Sequence, residues 1–294
     1  MLWTRALVGS LLAALIIGVL IGDDFLAPWF PFLFGVALLL GLAGGYELVG
    51  LIPSARRPRM WLCFAGLLIV IAANWVRPMH LEWPAIVPVI SPWPLILGAL
   101  AGVVIAAFLC EMAGYREPGE AVTRVALTAF VVVYLGLLAS FLFQLRWLPP
   151  APGGANRARS ALLLTIFVPK CGDIGAYCTG RLLGRHKMTP RLSPKKTWEG
   201  AVGGMVLAVL TAIGVCAFGF RPDLWIAKAA AFGVAVGIAG MFGDLAESLI
   251  KREGQKKDAS QAVPGFGGVL DVIDSVLFAA PVAYFWLTTA ISPL

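Results

Sequence analysis

Long apolar stretches broken by short polar segments dominate this sequence. A helix needs about 20 apolar residues to cross the hydrocarbon core of a bilayer. On that measure the pattern predicts nine membrane spans, at roughly 6–22, 28–50, 60–76, 92–110, 125–145, 160–183, 200–220, 224–247 and 267–290. Several carry Gly or Pro, which membrane helices tolerate. The second holds Gly44, Gly45 and Glu47; the sixth holds Pro169, Lys170, Gly172 and Asp173. The expected fold is therefore all-α, a polytopic membrane protein.

Composition agrees. Of the 294 residues, 60% are hydrophobic and 13% charged, against about 45–50% and 25% in soluble chains. The formal charge of +7 fits basic loops on the cytoplasmic face better than nucleic-acid binding, which is not expected. With the N-terminus inside, sixteen Lys and Arg fall in or beside inside loops and five in outside loops. That asymmetry predicts a cytoplasmic N-terminus. Met1-Leu2-Trp3-Thr4-Arg5 and the apolar run after it superficially resemble a signal peptide. No small-x-small cleavage pattern precedes Asp23-Asp24, so the run reads as the first span. The five cysteines form no CxxC pair and there are two histidines; neither disulfides nor a His-based metal site is implied.

Polar residues divide the chain unevenly. Residues 1–158 are expected to form five spans with few polar positions. The Pro/Gly-rich stretch 146–159 reads as a connector, and 159–294 as a four-span catalytic region with basic cytoplasmic loops.

Ionisable groups within spans are costly and point to function. Four clusters stand out. Lys170 and Asp173 share a helix face, followed by Tyr177 and Arg181; this spacing equally suits an internal ion pair. The loop Ser193-Pro194-Lys195-Lys196-Thr197-Trp198-Glu199-Gly200 offers ammonium and hydroxyl donors to an anion. Asp244, Glu247 and Ser248 lie on one face of the eighth span, ahead of Lys251 and Arg252. Like charges so placed are unfavourable unless a cation joins them. Finally, Lys256, Lys257 and Asp258 precede Pro264-Gly265-Phe266-Gly267-Gly268 and the same-face pair Asp271 and Asp274. The glycines permit close backbone approach to a ligand. Two adjacent carboxylates call for a cation, and oxygen-only ligation suits Mg²⁺. Ser-His-Asp, Cys-His and Walker patterns are absent. The inventory suits metal-assisted phosphoryl or nucleotidyl transfer, which needs little protein acid–base chemistry.

Ser248, Lys251, Arg252, Lys257, Asp258, Gly267, Gly268, Asp271 and Asp274 fall at the signature spacing of the phosphatidate cytidylyltransferases (CDP-diacylglycerol synthases). The Asp173–Arg181 segment and the Ser193–Gly200 loop also resemble that family, so the likeness runs over about residues 160–290. Two positions depart: Phe266 stands for the family's usual His, and Val272 for its Arg. Neither is a carboxylate. The resemblance implies that the phosphate of phosphatidic acid attacks the α-phosphorus of CTP, releasing pyrophosphate. It implies Asp244, Asp271 and Asp274 as a Mg²⁺ centre, with room for a second cation. Lys251, Arg252, Lys257, Lys195 and Lys196 would hold phosphates, helped by Ser193, Thr197, Ser248, Gly267 and Gly268. Asp258 would bind metal or orient a lysine, with Asp173 and Arg181 as further candidates. It also implies a homodimer and a bacterial cytoplasmic (inner) membrane with the site facing the cytoplasm. A CTP-dependent polyprenol or phytol kinase is the nearest alternative. A transporter is a third, but it would call for a pseudo-symmetric first half.

Overall fold

The computed structural model describes residues 2–83, 91–149, 156–219, 225–256 and 258–289. Among these residues there are eleven α-helices: α1 (Leu2–Asp24), α2 (Pro31–Leu51), α3 (Met60–Ala73), α4 (Val76–Glu82), α5 (Pro92–Ala113), α6 (Ala121–Val132), α7 (Leu138–Gln144), α8 (Arg157–Leu183), α9 (Trp198–Gly219), α10 (Trp225–Glu253) and α11 (Val269–Thr289). Among the described residues eight helical stretches are long and apolar enough to cross a membrane. The pair α3–α4, bent by 43°, makes a ninth if taken as one span. Each of the nine expected spans has its helix. α6 and α7 run on through a π-helical segment, Val133–Leu137, as one span. Outward-facing apolar side chains such as Leu7, Leu11 and Leu15 suit lipid rather than water. The chain is an integral membrane protein.

Two departures from the expected pattern matter. Residues 187–197 form a hairpin of β1 (Lys187–Thr189) and β2 (Ser193–Thr197), antiparallel, with Lys187 opposite Thr197 and Thr189 opposite Ser193. In addition, α10 continues past the expected end of its span, so Ser248, Lys251 and Arg252 lie on its last turns.

The chain forms two compact units: residues 1–140 with 258–270, and residues 141–257 with 271–294. In the first unit, the buried Asp23 carboxylate accepts the N–H groups of Phe32 and Leu33 at 2.9 and 2.7 Å, satisfying free donors at the start of α2. Asn74 Nδ2 donates to Ser140 Oγ at 2.9 Å and to the Val70 carbonyl at 2.8 Å. Buried Glu111 holds Arg59 at 3.2 Å and also pairs with Arg124. The segment 258–270 joins this unit because Glu47 of α2 captures it: the Glu47 carboxylate accepts Ser260 Oγ–H, Val269 N–H and Leu270 N–H at 2.6, 2.9 and 2.8 Å. The turn that brings it there uses Gly265 (φ 84°) and Gly267 (φ 117°), a region L-side chains rarely occupy.

In the second unit, α8 and α9 meet along small residues. A Cβ added at Gly175 would lie 2.8 Å from the Gly203 carbonyl, and one at Gly200 2.9 Å from the Ala176 carbonyl. Membrane helices commonly pack through such seams. Two glycines of α10 do the same work toward its neighbours. A Cβ at Gly240 would lie 2.6 Å from Pro169 Cβ of α8; one at Gly243 would lie 2.5 Å from the Asp274 carbonyl of α11. These contacts bring the polar positions of α8, α10 and α11 together.

Candidate active site

Because α10 lies so close to α8 and α11, Lys170, Asp173, Asp244, Glu247, Lys251, Asp271 and Asp274 converge within the second unit. Asp244, Glu247 and Asp274 each offer a carboxylate oxygen, all within 4.8 Å of one another. Glu247 is only 1% exposed, and its Oε1 has no hydrogen-bond partner. Three lysines surround the trio. Lys196 of β2 is 2.7 Å from Asp244 Oδ2. Lys251 bridges Glu247 at 2.5 Å and Asp271 at 2.6 Å. Lys170 bridges Asp274 at 3.0 Å and Asp173 at 3.4 Å. Ser275 Oγ donates to Asp173 Oδ2 at 2.9 Å.

Among the described residues, five carboxylates thus meet three ammonium groups by direct contact. With all ionised, these carboxylates outnumber the ammonium groups that contact them by two, in a low-dielectric setting where unpaired charge is costly. A single divalent cation matches that excess. The buried, unpartnered Glu247 Oε1 and the all-oxygen donor set suit a hard ion such as Mg²⁺. The residues present therefore fit the metal expected from sequence, with one change in grouping: Glu247 stands in the trio, and Asp271 is joined to it through Lys251.

Beside the trio lies a cavity of about 220 Å³, lined among others by the polar Asp173, Tyr177, Lys195, Lys196 and Asp244 and by Met188, Met205 and Met241. The hairpin borders it. Successive strand residues point to opposite faces, so Lys196 turns in to Asp244 while Lys195 stays exposed. Arg252 Nε donates to the Leu192 carbonyl at 3.3 Å, tying the hairpin to α10. At the hairpin's base Glu199 accepts Arg185 N–H at 3.1 Å and lies 2.6 Å from His186 Nδ1. Thr197 Oγ accepts Gly200 N–H at 3.1 Å, the N-cap contact of α9.

The other expected site residues fall as follows. Ser193 is partly buried in the hairpin, and Ser248 is buried on α10. Arg181 donates to Tyr177 Oη at 3.0 Å. Asp258 is exposed and belongs to the first unit, as do Gly267 and Gly268. For Gly268 the group that approaches is Glu47: a Cβ there would lie 2.4 Å from Glu47 Oε2. Phe266 packs against Gly9 of α1, where a Cβ would stand 3.4 Å from its ring. Lys257 lies outside the described residues. Sequence reasoning placed Glu247 and Lys170 in its polar clusters but gave neither a role in the site, and it left out Ser275. For the first two the signal was present, as charges three residues from Asp244 and Asp173. Ser275 carried none.

Fold and site together define a class: a multi-span membrane protein whose ionisable residues gather at one carboxylate-and-lysine centre. The sequence matches the Cytidylyltransferase family over residues 3–290, and the chain belongs to that family. It is 29% identical over 278 residues to a phosphatidate cytidylyltransferase of Mycobacterium bovis, covering 86% of this chain and 87% of that one. Proteins of the same name from Synechocystis and Haemophilus influenzae are 39% and 42% identical over 131 and 130 residues. Those matches cover 44% and 42% of this chain, and 44% and 45% of theirs.

Proposed function

We propose that this enzyme condenses CTP with phosphatidic acid to give CDP-diacylglycerol and pyrophosphate. A phosphate oxygen of phosphatidic acid forms the new bond to the α-phosphorus of CTP, and the bond from that phosphorus to the bridging oxygen of pyrophosphate breaks. The observation that carries the reading is the joining of an acidic trio, Asp244, Glu247 and Asp274, to a lysine-edged cavity in a chain of this family. Phosphatidic acid is already anionic near neutral pH, so no general base is required.

Asp244, Glu247 and Asp274 would hold Mg²⁺, with Asp271 as the neighbouring carboxylate kept in place by Lys251. Bound there, the ion supplies neutralisation of phosphate charge for an in-line displacement. Lys195 and Lys196 line the cavity and supply ammonium donors to the phosphates, with Arg252 and Ser193 at the hairpin. The three methionines that also line the cavity offer apolar contact to the rest of a substrate. The basic hairpin and the charge asymmetry of the loops favour a cytoplasmic site and N-terminus in a bacterial inner membrane.

The test is purified protein with Mg²⁺, phosphatidic acid and CTP labelled at either the α- or the γ-phosphate. Nucleotidyl transfer moves the α-label into lipid and leaves the γ-label in pyrophosphate. Label in lipid from γ-labelled CTP would instead mean a lipid kinase. Chelation with EDTA is expected to stop the reaction, and Mg²⁺ to restore it.

A further inference from the structure

We infer that the Lys170 ammonium acts as a built-in second cation of the carboxylate centre, so that the chain takes one divalent ion there and not two. This rests on the reading of Asp244, Glu247 and Asp274 as a metal site.

Four observations carry it. Lys170 is not confined to its own helix. Besides Asp173, an (i, i+3) neighbour, its Nζ reaches Asp274 Oδ1 of α11 at 3.0 Å. Asp274 is also a member of the acidic trio, so the ammonium and the proposed ion share a carboxylate, as two cations do in a dinuclear site. The helix packing fixes the lysine there: Pro169, the preceding residue, meets the Gly240 position of α10, and that same position faces Ser275 of α11. The charge count is the fourth. Among the described residues the direct-contact network is two negative charges in excess with Lys170 and would be three in excess without it, more than one divalent ion compensates. A tethered ammonium differs from a bound metal in that it cannot dissociate, and its three N–H donors orient Asp274 and Asp173. A helix-stabilising (i, i+3) pair alone would not need the contact to α11.

The experiment is Mn²⁺ binding to the purified full-length protein in detergent, followed by the electron paramagnetic resonance of free Mn²⁺. One ion per chain is expected for the wild type. Lys170→Met keeps the length and removes the charge; it should bind a second Mn²⁺ or hold the first about tenfold more tightly. Lys170→Arg should keep the wild-type stoichiometry. The double variant Lys170→Met/Asp173→Asn restores the charge balance and should return to wild-type binding, a result that mere loss of packing would not give. Two ions in the wild type, or unchanged stoichiometry and affinity in a folded Lys170→Met, would overturn the inference while leaving the metal site standing. No Mn²⁺ bound to the wild type would overturn the metal reading and this inference together. Should Lys170→Met not fold, the wild-type stoichiometry and the double variant still decide.

Discussion

Glu47 in α2 accepts the backbone N–H of Leu270, at the start of α11, at 2.8 Å. The same carboxylate takes the Val269 N–H and the Ser260 hydroxyl. Glu47 is 7% exposed, and a carboxylate inside a membrane protein needs such compensation. It finds it in the unpaired N–H groups and positive dipole end of a helix. Glu47→Ala strands three donors, the buried Leu270 N–H and the part-buried Val269 N–H and Ser260 hydroxyl; a buried donor left unsatisfied costs about 1–3 kcal/mol. Thermal unfolding in detergent should fall markedly for Glu47→Ala and less for Glu47→Gln, which keeps one acceptor. Gly268→Ala should also destabilise, since its methyl group would collide with Glu47 Oε2. An unchanged melting temperature in Glu47→Ala would refute the capping role.

Lys251 is the sole ammonium, among the described residues, in direct contact with both Glu247 and Asp271, and its side chain is 11% exposed. Removing one partner of a buried ion pair costs about 3–5 kcal/mol, because the other charge is left uncompensated. Lys251→Met should therefore lose both stability and activity. Lys251→Met/Asp271→Asn should recover stability without recovering turnover. Comparing unfolding midpoints with CTP-dependent product formation separates the two effects; a double variant no more stable than the single would argue against the pairing.

How much of this was legible beforehand differs by level. Spans were plain, because a bilayer demands apolar runs of about 20 residues, and this chain repeats them from end to end. The convergence of Asp244 with Asp274 could be anticipated from charges that make no sense alone in lipid. Which carboxylates share a centre could not. Asp244, Glu247 and Ser248 lie on one helix face, but only the close approach of α10 to α11 at Gly243 selects Glu247 for the trio and turns Asp271 to Lys251. The hairpin was hidden for a different reason. Its residues Lys187–Thr197 are polar and turn-rich, with no alternating pattern; strand pairing there is set by anchors at Asp244, Arg252 and Glu199. Glu47 stood out as a carboxylate in a span, yet its partners are backbone groups, which a sequence does not display.

Gly243 sets the spacing between α10 and α11. A methyl group there would stand 2.5 Å from the Asp274 carbonyl and 3.0 Å from Ser275 Cα, both backbone atoms that cannot rotate away. Gly243→Ala must push the helices apart and separate Asp244 from Asp274. Misplacement of reacting groups by about 1 Å can cost about a hundredfold in rate. The expectation is a folded protein with kcat reduced at least about tenfold and Mn²⁺ affinity lowered. Gly98, whose added Cβ would meet nothing within 4 Å, is the control: Gly98→Ala should be silent. Full activity in Gly243→Ala would contradict the spacing argument.

The hairpin is fastened to α10 at two points, Lys196 to Asp244 and Arg252 to the Leu192 carbonyl. An ion pair that is partly exposed is worth little alone, and Arg252 is exposed, so either fastening by itself should be dispensable for holding the hairpin down. Losing both should free it. The double variant Lys196→Ala/Arg252→Ala is expected to be cut by trypsin at Arg191 in native membranes much faster than the wild type, with each single variant close to wild type. Activity should divide differently. Lys196 lines the cavity and Arg252 does not appear in its wall. Lys196→Ala should therefore raise KM for CTP or phosphatidic acid on its own, and Arg252→Ala, which removes a phosphate donor outside the cavity wall, should raise it less. If both single variants already expose Arg191 to trypsin, the hairpin is held cooperatively. If neither the singles nor the double does, other contacts along β1 and β2 carry it, and Lys196 acts on substrate alone.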